Sequence, residues 1–154
     1  VKQLFPPKSI TLGITGSRDI PEGGLEIIKA QMAAYVANPR ITKIIFGGAR
    51  GADTEALRAA LNSRTEEKPK LVVVVPMTVD RQPQETRYIT RQADEVVELG
   101  LEYHDGVYII RDRWIVENSN QLAAFWNGKE GSGTHKTMKI AEKSKKSVET
   151  WYIK

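Results

Sequence analysis

The sequence predicts a three-layer α/β domain with a mainly parallel sheet of about six strands. Three observations carry that expectation. Short β-branched apolar runs alternate with amphipathic helical stretches along the whole chain. The runs are apolar at nearly every position, which suits strands covered on both faces. The first three close on Gly or Pro, as expected of strands that end in tight turns.

The elements follow in order. A first strand is expected over Ser9–Ile14, then a helix over Glu22–Ala37. In that helix Leu25, Ile28, Met32 and Tyr35 or Val36 recur at spacings of three and four, ending before Asn38-Pro39. Lys43–Phe46 reads as the second strand. Asp53 is the expected N-cap of a helix over Thr54–Ser63, whose buried stripe is Ala56, Leu57, Ala60 and Leu61. Leu71–Val75 is the third strand. Thr78–Ala93 carries Arg81, Arg87 and Arg91 and is the least regular stretch, with Pro83 marking a helix start. Glu95–Leu99 supplies the fourth strand. In the helix expected over Gly106–Asn118, the inward residues are Val107, Ile110, Trp114 and Ile115 or Val116. Gln121–Trp126, a helix over Thr134–Ser144 and a strand over Val148–Ile153 complete the alternation.

Composition narrows the function. The 154 residues carry 23 Lys+Arg against 19 Asp+Glu, a net charge of +4. That length suits a single domain over residues 1–154. With no Cys and only two His, disulfide scaffolds, thiol nucleophiles and multi-His metal centres are excluded, and no metal or cofactor is expected. No apolar run is long enough to cross a bilayer, and the first residues do not resemble a secretory leader. A cytoplasmic protein without a membrane partner is the expectation. The charge excess is local. Up to Gly128 acids and bases cancel, and from Lys129 onward seven lysines face three glutamates. Lys136, Lys139, Lys143 and Lys146 form one stripe on the last helix, with Met138 and Ala141 opposite, towards the sheet. A solvated outer face accounts for most of that stripe, while Lys136 sits in the first turn, where an anion would be held.

In open parallel sheets ligands bind outside the carboxyl ends of the strands. Three loops there join glycine to basic or hydroxyl side chains: Thr15–Asp19, Gly47–Asp53 and Asn127–Thr134. Glycine lets a backbone approach a phosphate, and free amides at a helix start point at it. Arg18 and Arg50 offer bidentate cationic partners, and Ser132, Thr134 and Thr137 offer hydroxyls. None of these loops matches the dinucleotide fingerprint or the Walker A pattern. Arg111 and Arg113 lie about 200° apart on a helix, so they cannot both serve one face equally; the alternative to a site role is a solvent-exposed arginine paired with Glu117. Trp114, Trp126 and Trp151 lie in apolar context, as core or interface residues.

Gly16-Ser17-Arg18, Gly47-Gly48-Ala49-Arg50-Gly51-Ala52-Asp53, and Arg111–Gly128 with Gly131-Ser132-Gly133-Thr134 together resemble the SLOG superfamily. That Rossmann-like group includes the DNA-processing protein DprA and the LOG phosphoribohydrolases. The chain looks most like its small stand-alone members of the YspA and YpsA type, over Gly16 to about Ala141. The resemblance implies a single SLOG-like Rossmann-type domain with a nucleotide-derived ligand above the strand ends. It matches Gly16, Ser17, Arg18, Gly47, Gly48, Arg50, Asp53, Arg111, Gly131, Gly133 and Thr134 to binding or site positions. Where the LOG enzymes carry a catalytic glutamate two residues after Gly-Thr, this chain has Lys136. Their usual Ser-Asp is Ser119-Asn120 here. Arg111, Glu117 and Glu130, with Asp53, remain the candidates for any glycosidic-bond chemistry.

Three functions are therefore weighed. The first is a domain binding a nucleotide or nucleotide-derived phosphate as sensor, carrier or sequestering protein. The second is a nucleoside-monophosphate N-glycosidic hydrolase or transferase. The third is single-stranded nucleic-acid binding, disfavoured because no aromatic stacking platform is evident. Self-association is expected, since domains this small often bury a helix face in a dimer.

Overall fold

The computed structural model describes residues 9–153. Strands β1 (Ile10–Gly16), β2 (Ile41–Phe46), β3 (Lys70–Val75), β4 (Glu95–Glu98), β5 (Gln121–Trp126) and β6 (Ser147–Tyr152) form one sheet. Its order is β4-β3-β2-β1-β5-β6, and every neighbouring pair is parallel. Helices α1 (Gly24–Ala37), α2 (Ala52–Ser63), α3 (Gln84–Thr90), α4 (Val107–Glu117) and α5 (Gly133–Lys143) cover it, with a 3-10 turn at Val79–Arg81. The expected three-layer Rossmann-like α/β architecture is the one observed. No helix among the described residues is long and apolar enough to cross a membrane.

Side chains alternate across each strand, so continuous apolar runs feed two cores. Leu12, Ile14, Ile44, Phe46, Val73 and Val75 pack with Ile28, Met32, Leu57 and Ile89, in the layer of α1, α2 and α3. Ile45, Val72 and Val74 point to the other face, onto Ile115 of α4. Leu122 meets Val116 and Ala141, and Ala124 meets Met138, which seats α4 and α5 on that face. Each fully buried side chain of this size contributes roughly 1.5–3 kcal/mol. That outweighs local propensity and decides which face each helix turns inward.

Two helices differ from expectation for physical reasons. α2 begins at Ala52 with Gly51 in the N-cap position, so Asp53 is not the cap. Its carboxylate instead reaches back to amides of the preceding loop, described below. α4 buries Val107, Arg111, Asp112, Ile115 and Val116, while Ile110 is 39% exposed and Trp114 is half-buried. The buried phase turns because this stretch of α4 faces polar loops rather than the apolar sheet. Pro83 directly precedes α3, as its position suggested. At the last helix Lys136, Lys139 and Lys143 are exposed, but the helix ends there. Lys146 leaves the stripe and donates to Ser119 O at 2.8 Å.

The chain steps outward from β1 to the edge strand β4, then crosses back to β5 on the far side of β1. Strand order therefore reverses between β1 and β5, which opens a crevice at their carboxyl ends. Gly13 allows the end of α4 to lie against β1. A Cβ there would sit 2.6 Å from Ser119 Oγ and 2.8 Å from Ile115 Cγ2. Gly13→Val is expected to cost about 1–3 kcal/mol by overpacking. A lower denaturant midpoint with an unchanged slope would show it. A valine variant as stable as the parent would show that α4 tolerates displacement from β1.

Candidate functional site

A cleft of about 580 Å³ opens at the carboxyl edge of the sheet. That volume lies in the range of small-molecule sites. Its walls are the turns after β1, β2, β3 and β5, closed on one side by Tyr108, Arg111, Asp112 and Ile115 of α4.

The turn after β2 is organised around Asp53, which is only 3% exposed. Asp53 Oδ2 accepts from the Gly47 and Ala49 amides, both at 2.9 Å. Thr54 Oγ1 closes the same turn by donating to Ala49 O at 2.5 Å. Gly51 has φ +84, and a Cβ on it would fall 2.1 Å from Arg18 O, so the turns after β1 and β2 touch through bare backbone. The Ala52 amide donates to Ser17 O at 2.9 Å, spending a free donor of the α2 start. Burial pushes the Asp53 carboxyl up to about 6. The Ala49 amide and Arg111 oppose the shift, nearby Asp112 adds to it, and the Gly47 amide opposes it again.

Arg111 is 9% exposed and is fixed from two sides. Its Nε donates to Asp112 Oδ1 and its Nη1 to Gly47 O, both at 3.0 Å, with the guanidinium 5.5 Å from the Tyr108 ring centre. Gly47 leaves room for the guanidinium, since a Cβ there would lie 3.0 Å from Arg111 Nε and press it aside. Asp112 Oδ2 lies 3.0 Å from Thr137 Oγ1, which also reaches Gly133 O at 2.8 Å. A buried polar chain thus runs from the β2 turn through α4 to the start of α5.

The turn before α5 is built differently. Ser132 is the N-cap, its Oγ accepting from the His135 amide at 3.3 Å and donating to Lys129 O at 2.8 Å. His135 Nδ1 accepts from the Gly131 amide at 3.0 Å, and its ring stacks on Trp126 at 5.0 Å between centres. Ser17 Oγ accepts from the Asn127 amide at 2.9 Å, tying this turn to that after β1. The Gly133 and Thr134 amides keep no partner among the described residues, as the geometry of a helix start requires. Ser132, Gly133, Thr134 and Lys129 all line the cleft.

A family model described as DNA recombination-mediator protein A matches residues 5–152. The chain belongs to that family. Solved structures share its fold. DNA processing protein A from Helicobacter pylori superposes with a TM-score of 0.71 at 20% identity, covering 93% of this chain and 65% of that one. The protein of the same name from Streptococcus pneumoniae gives 0.76 at 19%, covering 92% and 50%. The molybdenum cofactor carrier protein from Chlamydomonas reinhardtii gives 0.63 at 21%, covering 93% and 76%. The chain therefore spans less than two thirds of the length of either DNA processing protein A. No curated protein matches the sequence.

Within this family domain the expected site residues separate into groups. Gly16, Ser17, Arg18, Gly47, Gly48, Arg50, Asp53, Arg111, Ser132, Gly133 and Thr134 all line the one cleft. Gly131 shapes the adjoining turn with φ +76 and does not line it. Lys136 is exposed and faces a separate depression of about 410 Å³ between α4 and α5, with Arg113, Lys139 and Lys143. It follows the first free amides by one turn, and helical rotation carries its side chain away from the cleft. Glu117 and Glu130 are exposed outside the cleft, and Arg113 forms no ion pair with Glu117. Arg50 pairs with Glu85 of α3 at 2.9 Å across an exposed surface.

Sequence reasoning missed Asp112, Gln82 and Tyr108. Asp112 sits beside an arginine in a helix, which reads as surface charge until α4 is placed. Gln82 lies in the least regular stretch. Its Nε2 donates to Gly48 O and to Thr90 Oγ1, both at 3.1 Å.

The Asp53 carboxyl holds its proton more tightly in the folded chain than in the unfolded one. That contribution to stability is fully present below about 4 and is lost as pH rises through about 6. Asp53→Asn removes the titration and keeps an oxygen for the loop amides. Between about pH 4 and pH 7 the parent should therefore lose up to about 3 kcal/mol relative to the asparagine variant. Chemical denaturation at each pH reads this directly. A constant difference across the range would show an unshifted carboxyl.

Proposed function

We propose that the chain binds a nucleotide or nucleotide-derived phosphate ligand in the strand-end cleft, as a sensor, carrier or sequestering protein. One observation carries this most. In the turn after β2 the Gly47 and Ala49 amides are spent on the internal Asp53 carboxylate, whereas the Gly133 and Thr134 amides at the start of α5 stay free on residues that line the cleft. A phosphate placed there meets the positive end of the helix, the Lys129 ammonium and the Thr134 hydroxyl. The Arg111 charge in the floor is already paired with Asp112, so the positive charge offered to a phosphate comes from Lys129 and the helix start.

The placement of the carboxylates supports binding over glycosidic-bond chemistry. Glu117 and Glu130 lie outside the cleft. Asp53 has one oxygen committed to two amides and the other shielded from solvent. The fold likeness to a molybdenum cofactor carrier protein is in keeping with a carrier role. A second reading, single-stranded DNA, is favoured by the family match and by the Helicobacter pylori structure, whose subject is a single-stranded DNA binding mode. A cytoplasmic location, self-association, a single domain over residues 1–154 and kinship with the small stand-alone SLOG proteins complete this proposal.

Calorimetry against nucleoside monophosphates, ADP-ribose derivatives, cyclic nucleotides and a single-stranded oligonucleotide tests it. Lys129→Ala is expected to weaken mononucleotide binding about three- to tenfold, more at low salt. Lys136→Ala should leave it unchanged, since that side chain points elsewhere. No mononucleotide binding tighter than millimolar by folded protein would overturn the proposal. Oligonucleotide binding without mononucleotide binding would move the function to DNA.

A further inference from the structure

Among the described residues, the buried side-chain polar atoms without a hydrogen-bond partner are Asp53 Oδ1 and Gln82 Oε1. Both are acceptors, and both residues line the same cleft. A buried acceptor without a donor destabilises the fold that contains it, so each such atom calls for an explanation. Two of the same polarity on one wall point to a ligand that brings donors.

Gln82 is the more informative, because its amide is oriented unambiguously. Both Nε2 protons are engaged, one by Gly48 O and one by Thr90 Oγ1. A flipped amide would set oxygen against the Gly48 carbonyl, acceptor facing acceptor. Oε1 is therefore held in place as an acceptor by the two bonds that tie this side chain to the turn after β2 and to the end of α3.

Position gives the rest. Gln82 follows β3 and grips the turn after β2, while the free amides of α5 follow β5. With the order β3-β2-β1-β5, these ends lie about 14 Å apart, three strand spacings. A mononucleotide with its phosphate at α5 extends its base toward Gln82.

We propose that Gln82 is a specificity-determining residue whose Oε1 accepts an N–H from the base, so that the cleft selects amino-bearing nucleotides. This rests on the phosphate-binding function proposed above. Asp53 Oδ1 adds a second acceptor to the same wall, so the ligand is donor-rich on the face it turns there. Oε1 is shielded from solvent, so the contact requires a local adjustment of the cleft wall on binding.

The test uses the whole chain and calorimetry on two nucleotide pairs, each differing by one amine. AMP is compared with purine riboside 5′-monophosphate, and CMP with 2-pyrimidinone riboside 5′-monophosphate. At least one amine-bearing partner should bind about tenfold or more tightly than its analogue. In Gln82→Met that preference should fall to about twofold or less. Gln82→Leu, which also removes the acceptor, should lose it likewise, and serves if the methionine variant does not fold. Equal affinities within both pairs, with ribose 5-phosphate still bound by the parent, would overturn the role of Gln82 alone. A preference that survives in Gln82→Met or in Gln82→Leu would do the same. If neither the nucleotides nor ribose 5-phosphate bind, the phosphate function itself fails, and the base selection falls with it.

Discussion

The carboxylate of Asp53, buried and bonded to the amides of Gly47 and Ala49, is the constraint on which the site depends. A charge taken out of water is tolerated only where donors and counter-charges surround it. Here the donors come from the turn after β2, which is thereby pinned in one conformation. The nearest counter-charge is Arg111, itself held by Gly47 O and Asp112. The start of α2, the end of β2 and the inner face of α4 are thus mutually determined. Loss of any one member leaves another buried and unpaired, so these elements are expected to form or fail together. The upward displacement of the Asp53 carboxyl comes first from its burial, which the Ala49 amide and Arg111 only partly offset, and to a lesser degree from nearby Asp112.

From this constraint follows a division of labour between two glycine-rich turns that look alike on paper. The turn after β2 is an anion-binding loop already occupied by the protein's own anion. The turn before α5 is braced by Ser132, His135 and Trp126, and its first amides stay unspent on residues that line the cleft. The Asp112–Thr137 contact joins the two, so the start of α5 is positioned by the residues that organise the turn after β2. Rigidity in one turn and free donors in the other are complementary, and together they suit a site that receives a phosphate.

Apolar packing decides where that site lies. Both sheet faces are covered, so the strand ends are the place where backbone polar groups remain near solvent. The reversal of strand order beside β1 separates the flanking loops and makes room for a cleft. Gly13 and Gly47 are small for related reasons. The first admits the end of α4 against β1, and the second admits the Arg111 guanidinium against the loop.

Much of this was legible in the residues. Alternating apolar runs and helical stripes fix the order of elements, because covered strands and amphipathic helices have few other ways to bury their faces. The glycines, hydroxyls and arginines at strand ends mark the cleft, because topology sends every such end of a parallel sheet to one edge. What could not be read was direction. Whether Asp53 caps α2 or grips the turn behind it depends on the φ of Gly51 and the approach of Arg18. Whether Arg111 and Asp112 face water or the core depends on the rotation of α4 against loops distant in sequence. Lys136 was read by its place in the chain as part of the cleft, and the two residues from Thr134, about 200° of helical rotation, carry it to another surface. The sequence by itself determined the layers, the strand-end location and the chemical types of the cleft residues, since these follow from local periodicity and sheet topology. Only the tertiary structure decided which amides are spent, which acceptors stay unpaired and which charges are buried, since each of those depends on contacts between segments that periodicity does not relate.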